Sequence, residues 1–283
     1  MQIIQRLDEF REWSRQNRTV QRALVPTMGA LHEGHLSLCD RAREEVGAGG
    51  HVVATVFVNP TQFGPNEDLD AYPRQLEEDA KACEKRGVDV LFAPNPADMY
   101  FPDASVEIHE NVLSTGLCGA SRPGHFTGVC TVVAKLFNLA QPDVAVFGEK
   151  DFQQLAVIRR MVRDLNFPVQ IVGGNTVRES DGLAMSSRNL YLTDAERTQA
   201  PVIYRSLCEV RDGIADGPVK SPQDAIAMLE AKIGSAAPAK IDYLQCVHPE
   251  TLEPLNEFGE GGYRLIVAVF FGKPRLIDNL GPV

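Results

Sequence analysis

No stretch of this 283-residue chain is an apolar run long enough to span a bilayer, which takes about 20 residues. A helical membrane protein is therefore not expected. The N-terminus places Arg6, Asp8, Glu9, Arg11 and Glu12 where a signal peptide needs an apolar core, so the expected location is the cytoplasm. Paired cysteine motifs are missing too. Cys39, Cys83, Cys118, Cys130, Cys208 and Cys246 are scattered, with no C-x-x-C and no zinc-type spacing with histidine. Reduced thiols, several of them packed as small hydrophobes, follow from that, and no structural metal is expected. An excess of positive charge is absent: 28 Lys and Arg stand against 38 Asp and Glu, a net charge of −10. The chain as a whole therefore repels nucleic acid and anionic membranes, and an anionic substrate needs a local cluster of cations and helix N-termini. There is no internal repeat and no low-complexity tract. No Cys or Ser stands in a nucleophile arrangement with His, so no covalent acyl-enzyme is expected.

What is present is an alternation. Apolar runs at 23–28, 51–58, 88–93, 143–147 and 168–172 read as strands, and helical periodicity falls at 7–16, 34–46, 75–86, 127–140 and 151–165. Asp151 is expected to cap the last of these helices. Val129, Val132, Val133, Leu136, Phe137 and Ala140 form the clearest apolar stripe. Ser105–His109 reads as an edge strand, Pro94–Pro102 as irregular and Pro60–Leu69 as a loop suited to act as a lid. Continuously apolar strands separated by helices imply a Rossmann-like α/β fold, an open parallel sheet with helices on both faces. From about Val177 the order changes to helices at 193–212 and 221–233, then strands at 241–247 and 263–271, with 213–219 and 234–239 as exposed loops. The expected division is a larger domain over 1–176 and a smaller C-terminal α+β domain over 177–283.

In an open parallel sheet, ligands bind where strands end. The stretch V-P-T-M-G-A-L-H-E-G-H-L-S-L at 25–38 lies at such an exit. It places His32 and His35 where a strand hands over to a helix, whose first turn offers N–H groups and partial positive charge to a phosphate. Imidazoles three residues apart can address one bound group. Three more motifs stand at turns: F-V-N-P-T-Q-F-G-P-N-E-D-L-D-A-Y-P-R at 57–74, F-G-E-K-D-F-Q-Q-L at 147–155 and R-E-S-D-G-L-A-M-S-S-R-N at 178–189.

The segment around His32 resembles the H-x-G-H signature of the nucleotidyltransferase superfamily. The longer P-T-M-G-A-L-H-E-G-H, taken with the other three motifs in order and spacing, resembles the pantothenate synthetase (pantoate–β-alanine ligase) family. That resemblance runs down to R-L-I-D-N at 275–279. It implies ATP-dependent condensation of (R)-pantoate with β-alanine through a pantoyl adenylate, on the route to coenzyme A. His32, His35 and Lys150 would be catalytic. ATP would be held by Met28, Gly29, Ala30, Leu31, His32, Glu33, Gly34, His35, Gly148, Glu149, Lys150, Asp151, Val177, Met185, Ser186, Ser187 and Arg188. Pantoate would be held by Gln62 and Gln154, with Lys150 and Gln154 sharing a helix face at i, i+4. Mg²⁺ would ride mainly on the ATP phosphates, and the resemblance implies a homodimer.

Glu77, Glu78 and Asp79 lie where some family members place acids that interact with Mg²⁺, and a solvated helix face is the expectation here. Arg122 and His125 read equally as active-site cations or as residues at a helix start. Gly173-Gly174-Asn175 departs from the family's usual Gly-Val-Pro and could loosen the hinge. Two alternatives use the same H-x-G-H: a nucleotidyltransferase acting on a phosphate or alcohol, and a non-catalytic nucleotide-binding regulator.

Overall fold

The computed structural model describes residues 1–65, 67 and 69–282. Asn66 and Asp68, inside the expected lid loop, lie outside the described residues. The chain divides into two compact units, Met1–Glu149 with Gln153–Asn175, and Lys150–Phe152 with Thr176–Val283.

The first unit runs β1 (Gln2–Ile4), α1 (Leu7–Gln16), β2 (Arg22–Thr27), α2 (Glu33–Val46), β3 (His51–Val56), α3 (Leu76–Lys85), β4 (Val90–Phe92), α4 (Pro96–Met99), α5 (Cys118–Ser121), α6 (His125–Ala140), β5 (Val144–Gly148), α7 (Phe152–Asp164) and β6 (Gln170–Gly174). The six strands form one parallel sheet in the order β1-β4-β3-β2-β5-β6. Ala23, Leu24 and Val25 are all fully buried, as expected of a strand covered on both faces. One face is covered by α2 and α3. Leu38, Cys39, Ala42 and Val46 recur at helical spacing and pack on Ala23, Val25, Val52, Ala54 and Val146. Each such side chain contributes about 1.5–3 kcal/mol when fully buried. On the other face Phe10 of α1 stacks on Phe92 with ring centroids 4.0 Å apart. The chain leaves β2 for β3 on one side and later returns to β5 on the other. The β2 exit is thus the switch point where a ligand crevice opens.

The second unit carries α8 (Asp194–Gln199), α9 (Val202–Asp216), α10 (Pro222–Gly234), β7 (Ala239–Val247), β8 (Arg264–Phe271) and β9 (Arg275–Leu280). Its strands pair antiparallel in that order. Leu265, Val267, Val269 and Phe271, two residues apart along β8, meet Ile203, Leu207, Leu229 and Ile233 from the helices.

Several local expectations are corrected. Ser105–His109 is not a strand: Ile108 donates its amide to the side chain of Thr131, Oγ1 at 3.0 Å, and among the described residues the segment pairs with neither sheet. Pro94–Pro102 contains the short helix α4, begun by Pro96 at its first position. Asp151 does not cap α7 from outside. It ends a 3-10 turn, Glu149–Asp151, that runs straight into the helix. The helix expected over 193–212 is two helices, broken at Pro201, and the second continues through the expected loop to Asp216. Strands β1 and β9 have weak apolar patterns and add to the expected set: β1 is three residues at a sheet edge, and β9 carries Arg275, Asp278 and Asn279 among its apolar positions. Gly173 and Gly174 belong to β6, paired with Phe147 and Gly148. A Cβ on Gly174 would stand 2.2 Å from Leu38 Cδ2, so this glycine lets α2 approach the sheet. No helix of the described residues is long and apolar enough to cross a membrane.

Candidate active site

At the exit of β2 the backbone turns through Gly29 at φ +87° and Ala30 at φ +51°. Both are in the left-handed region, uncommon for alanine. The amides of Ala30 and Leu31 then both point at one carboxylate: Asp79 Oδ2 accepts from Ala30 at 3.0 Å and Oδ1 from Leu31 at 2.8 Å. Asp79 is 1% exposed. Of the three acids on α3, this one is not on a solvated face.

His32 is the N-cap of α2. Its Nδ1 accepts the Gly34 amide at 3.1 Å, while His35 Nδ1 accepts the His32 amide at 3.4 Å. The two side chains thus form a capping box normally built by Ser or Thr with Glu. The His35 amide is also used, donating to His32 O at 2.8 Å. Helix-start N–H groups expected for phosphate are therefore largely engaged within the turn. The rings take over that capacity. A neutral imidazole that accepts at Nδ1 carries its proton at Nε2, so each ring presents an Nε2–H donor. The ring centroids lie 4.1 Å apart. Two side-by-side donors at the positive end of a helix suit a developing oxyanion. The Glu33 carboxylate pairs with Arg86 at 2.5 Å.

Gln62 sits beyond β3 in the 3-10 turn Pro60–Gln62 and is buried. Its Oε1 accepts from Asn59 Nδ2 at 3.1 Å, and its Nε2 donates to Met28 Sδ at 3.0 Å. The structure therefore brings Gln62 to the H-x-G-H turn. Gln154 is half-buried on α7. It does not share a helix face with Lys150, because Lys150 lies in the preceding 3-10 turn and is grouped with the second unit. Gly148 ends β5 and Glu149 opens the 3-10 turn that follows, Glu149 Oε1 lying 2.9 Å from where a Cβ on Gly173 would be.

In the second unit, Met185 donates its amide to Val177 O at 3.0 Å, closing a small two-stranded turn. Ser186 follows as N-cap of the 3-10 turn Ser187–Tyr191, its Oγ accepting the Arg188 amide at 3.2 Å. Lys150 and Ser186 line the same small cavity of about 10 Å³, with Asp278 in its wall. Lys150 is anchored through its carbonyl, which accepts from Asn279 Nδ2 at 2.9 Å. The base of the loop is held by Arg178, paired with both oxygens of Asp278 at 2.6 and 2.9 Å and stacked 3.6 Å above the Tyr204 ring. Ser187 and Arg188 stand on the turn itself, half-buried. Among the described residues no group of three or more His, Cys, Asp or Glu is placed to hold a metal ion.

The profile described as pantoate-beta-alanine ligase matches residues 2–281. The chain is 52% identical to the pantothenate synthetase of Clostridium novyi (strain NT) over 95% of this chain and 92% of that one. Against the enzyme of Thermotoga neapolitana it is 50% identical over 99% of both. The chain belongs to the pantoate–β-alanine ligase family. Its fold matches the crystal structure of pantothenate synthetase from Thermus thermophilus with a TM-score of 0.91, at 48% identity and 99% of both chains. A pantoate–β-alanine ligase from Francisella tularensis, complexed with beta-gamma ATP and β-alanine, matches with a TM-score of 0.81, at 34% identity over 99% of this chain and 97% of that one.

With the chain placed among these ligases, the residues the motifs did not single out can be named. Asn59 is 1% exposed and ties the Gln62 turn together: Nδ2 donates to Gln62 Oε1 and Gly128 O, and Oδ1 accepts from Thr61 Oγ1 and Tyr100 OH. Gly128 of α6 lets that turn approach, since a Cβ there would lie 2.5 Å from Thr61 O. Arg122 and His125 both grip the same turn. His125 Nδ1 donates to Gln62 O at 2.9 Å, and its Nε2 accepts from Arg122 Nη1 at 3.0 Å, which makes the ring neutral with its proton on Nδ1. Arg122 also makes two 2.6 Å bonds to Glu67. Burial pushes the Glu67 carboxyl up, but the hydrogen bonds and charge of Arg122 outweigh this and hold it below the ordinary value. Gln153, not Gln154, is the structural glutamine of its pair: it accepts from the Cys118 amide and donates to Leu113 O and Gly116 O. Arg122 and His125, read as cations at a helix start, and the motif at 57–74 were the signals of this network in the sequence.

Proposed function

We propose that this ligase condenses (R)-pantoate with β-alanine in two steps. The pantoate carboxylate attacks the α-phosphorus of ATP, giving pantoyl adenylate and pyrophosphate. The β-alanine amine then attacks the activated acyl carbon, giving pantothenate and AMP. The observation that carries the first step is the pair of Nε2–H donors at the start of α2, locked by their own Nδ1 bonds. They would meet the charge that grows on the α-phosphate, where fixed donors are worth most. Lys150, Ser186, Ser187 and Arg188 would neutralise the other phosphates. Gly148, Glu149, Asp151, Val177 and Met185 would complete the nucleotide site, and the smaller domain would close over it. Gln62 and Gln154 would read pantoate's hydroxyl and carboxylate through their amides. Mg²⁺ would arrive on ATP oxygens. The ATP and β-alanine named in the Francisella complex support this ligand set. A cytoplasmic homodimer is part of the reading. It rests on the resemblance to the ligase family.

The test is exchange of labelled pyrophosphate into ATP with pantoate present and β-alanine absent. Exchange is expected. A strict requirement for β-alanine would refute the adenylate, and no exchange with any acid would point to a nucleotide-binding regulator.

A further inference from the structure

Asp79 is fully buried at the back of the H-x-G-H turn. Its hydrogen-bond partners among the described residues are uncharged: the Ala30 and Leu31 amides and, at 3.4 Å, Gln75 Nε2. A buried carboxylate is costly unless its oxygens are met by donors, and here both are taken by consecutive amides of one turn. Those amides belong to the residue at φ +51° and to its successor. The next amide, of His32, is the one that His35 Nδ1 accepts, and the amide of Gly34, two residues further on, is the one that His32 Nδ1 accepts. The amides of Ala30, Leu31, His32, Gly34 and His35 are therefore all bonded, from Asp79 at one end of the turn to the two rings at the other. A Cβ on Gly29 would lie 3.0 Å from Asp79 Oδ2, so the turn also closes sterically on the carboxylate.

We propose that Asp79 is a positioning residue for adenylate formation: by clamping the Ala30 and Leu31 amides it fixes the path of the turn, and so the tautomer and direction of His32 and His35. With both oxygens accepting turn amides, its part is assigned to the clamp and not to a metal. This rests on the reading that the two imidazoles address the α-phosphate.

The experiment uses the full chain and Asp79→Asn, which keeps the shape. The carboxamide has one acceptor oxygen, so one of the two turn amides loses its bond and faces an NH₂ group instead. Pyrophosphate exchange with pantoate is expected to fall in kcat by about 10–100-fold, the scale of a displaced catalytic group. KM for ATP and the half-saturating Mg²⁺ concentration are expected to stay within about 2-fold. Nitrogen-15 spectra of the histidines, above their titration, should show Nε2–H tautomers for His32 and His35 in the natural chain. Mixed tautomers are expected in Asp79→Asn. Exchange within 2-fold of the natural chain, in a folded variant, would overturn the proposal, and so would a 10-fold rise in the Mg²⁺ requirement. An Nδ1–H tautomer at His32 or His35 in the natural chain would overturn it too, with no variant needed. Absence of exchange in the natural chain would instead remove the adenylate reading, and the histidine spectra of the two proteins would then decide the Asp79 clamp alone.

Discussion

The turn at 28–35 and the turn at 186–191 carry the two strongest motifs, and they are built in opposite ways. The first is held from behind by a buried carboxylate, and the amides at 30, 31, 32, 34 and 35 all have acceptors. The direction of its side chains is set by hydrogen bonds within the turn. The second is held at its base. Arg178, Asp278 and Asn189 fix where the loop starts, Asn189 donating to Glu179 Oε1 and Ala184 O. Its far end carries Leu190 at 80% exposure. The contrast teaches that one unit presets donor direction, which favours electrostatic stabilisation of a reacting atom. The other presets the position of the loop's base, with Ser187 and Arg188 half-buried on the turn above it.

The comparison breaks first at the base of the second turn. Asp278→Ala leaves the half-buried Arg178 guanidinium without its carboxylate, which should cost about 2–4 kcal/mol. Urea unfolding monitored by hydrogen exchange should place that loss in residues 176–282 and spare 1–149. A change below about 1 kcal/mol would mean that the base is not what holds the loop.

His35→Ala tests the opposite side. The ring is half-buried in a crevice and not in the core, so the melting temperature should barely move. Single-turnover adenylate formation should slow by about 10²–10³. Near-normal turnover in a folded variant would remove His35 from the mechanism.

Neighbouring glutamines sharpen the division between site and scaffold. Gln154→Ala should weaken pantoate binding by about 1.5–3 kcal/mol in calorimetry and leave ATP binding intact. Gln153→Ala strips three hydrogen bonds from buried groups and should appear as lost stability of about 1–3 kcal/mol instead. The reverse pattern would exchange their roles.

The smallest effect is on pH. The Glu67 carboxyl is held below its ordinary 4.5 in the folded chain by Arg122, against the opposing push of burial. A depressed folded value means that its stabilisation is complete above the unfolded value and is lost as pH falls through the folded one. Stability measured from pH 6 downward should decline less steeply in Glu67→Gln. Parallel curves would show that the Arg122 pair contributes nothing to holding the Gln62 turn.

Much of this was open to a reading of residues alone. Leu38, Cys39, Ala42 and Val46 at helical spacing mark the buried face of α2, and continuous apolar runs mark strands covered on both sides. His32 and His35 could be placed at a strand exit for the same reason. Local periodicity is a property of adjacent residues, so it survives in the sequence. Asp79 could not be read this way. It stands third in Glu77-Glu78-Asp79, and three acids in a row look alike until a helix face is chosen.

The sequence by itself determined the alternation of the main strands and helices, the parallel sheet and the family. Only the tertiary structure decided which of the three acids turns inward, which of Gln153 and Gln154 is scaffold, and that Lys150 is grouped with the second unit. It also decided the tautomers of His32, His35 and His125, because a ring's proton follows its nearest acceptor or donor. The reason is distance along the chain. Asp79 meets Leu31 across 48 residues, and His125 meets Gln62 across 63. A hydrogen bond needs its two atoms within about 3 Å, and no local pattern carries information about which remote backbone group packing will bring that close.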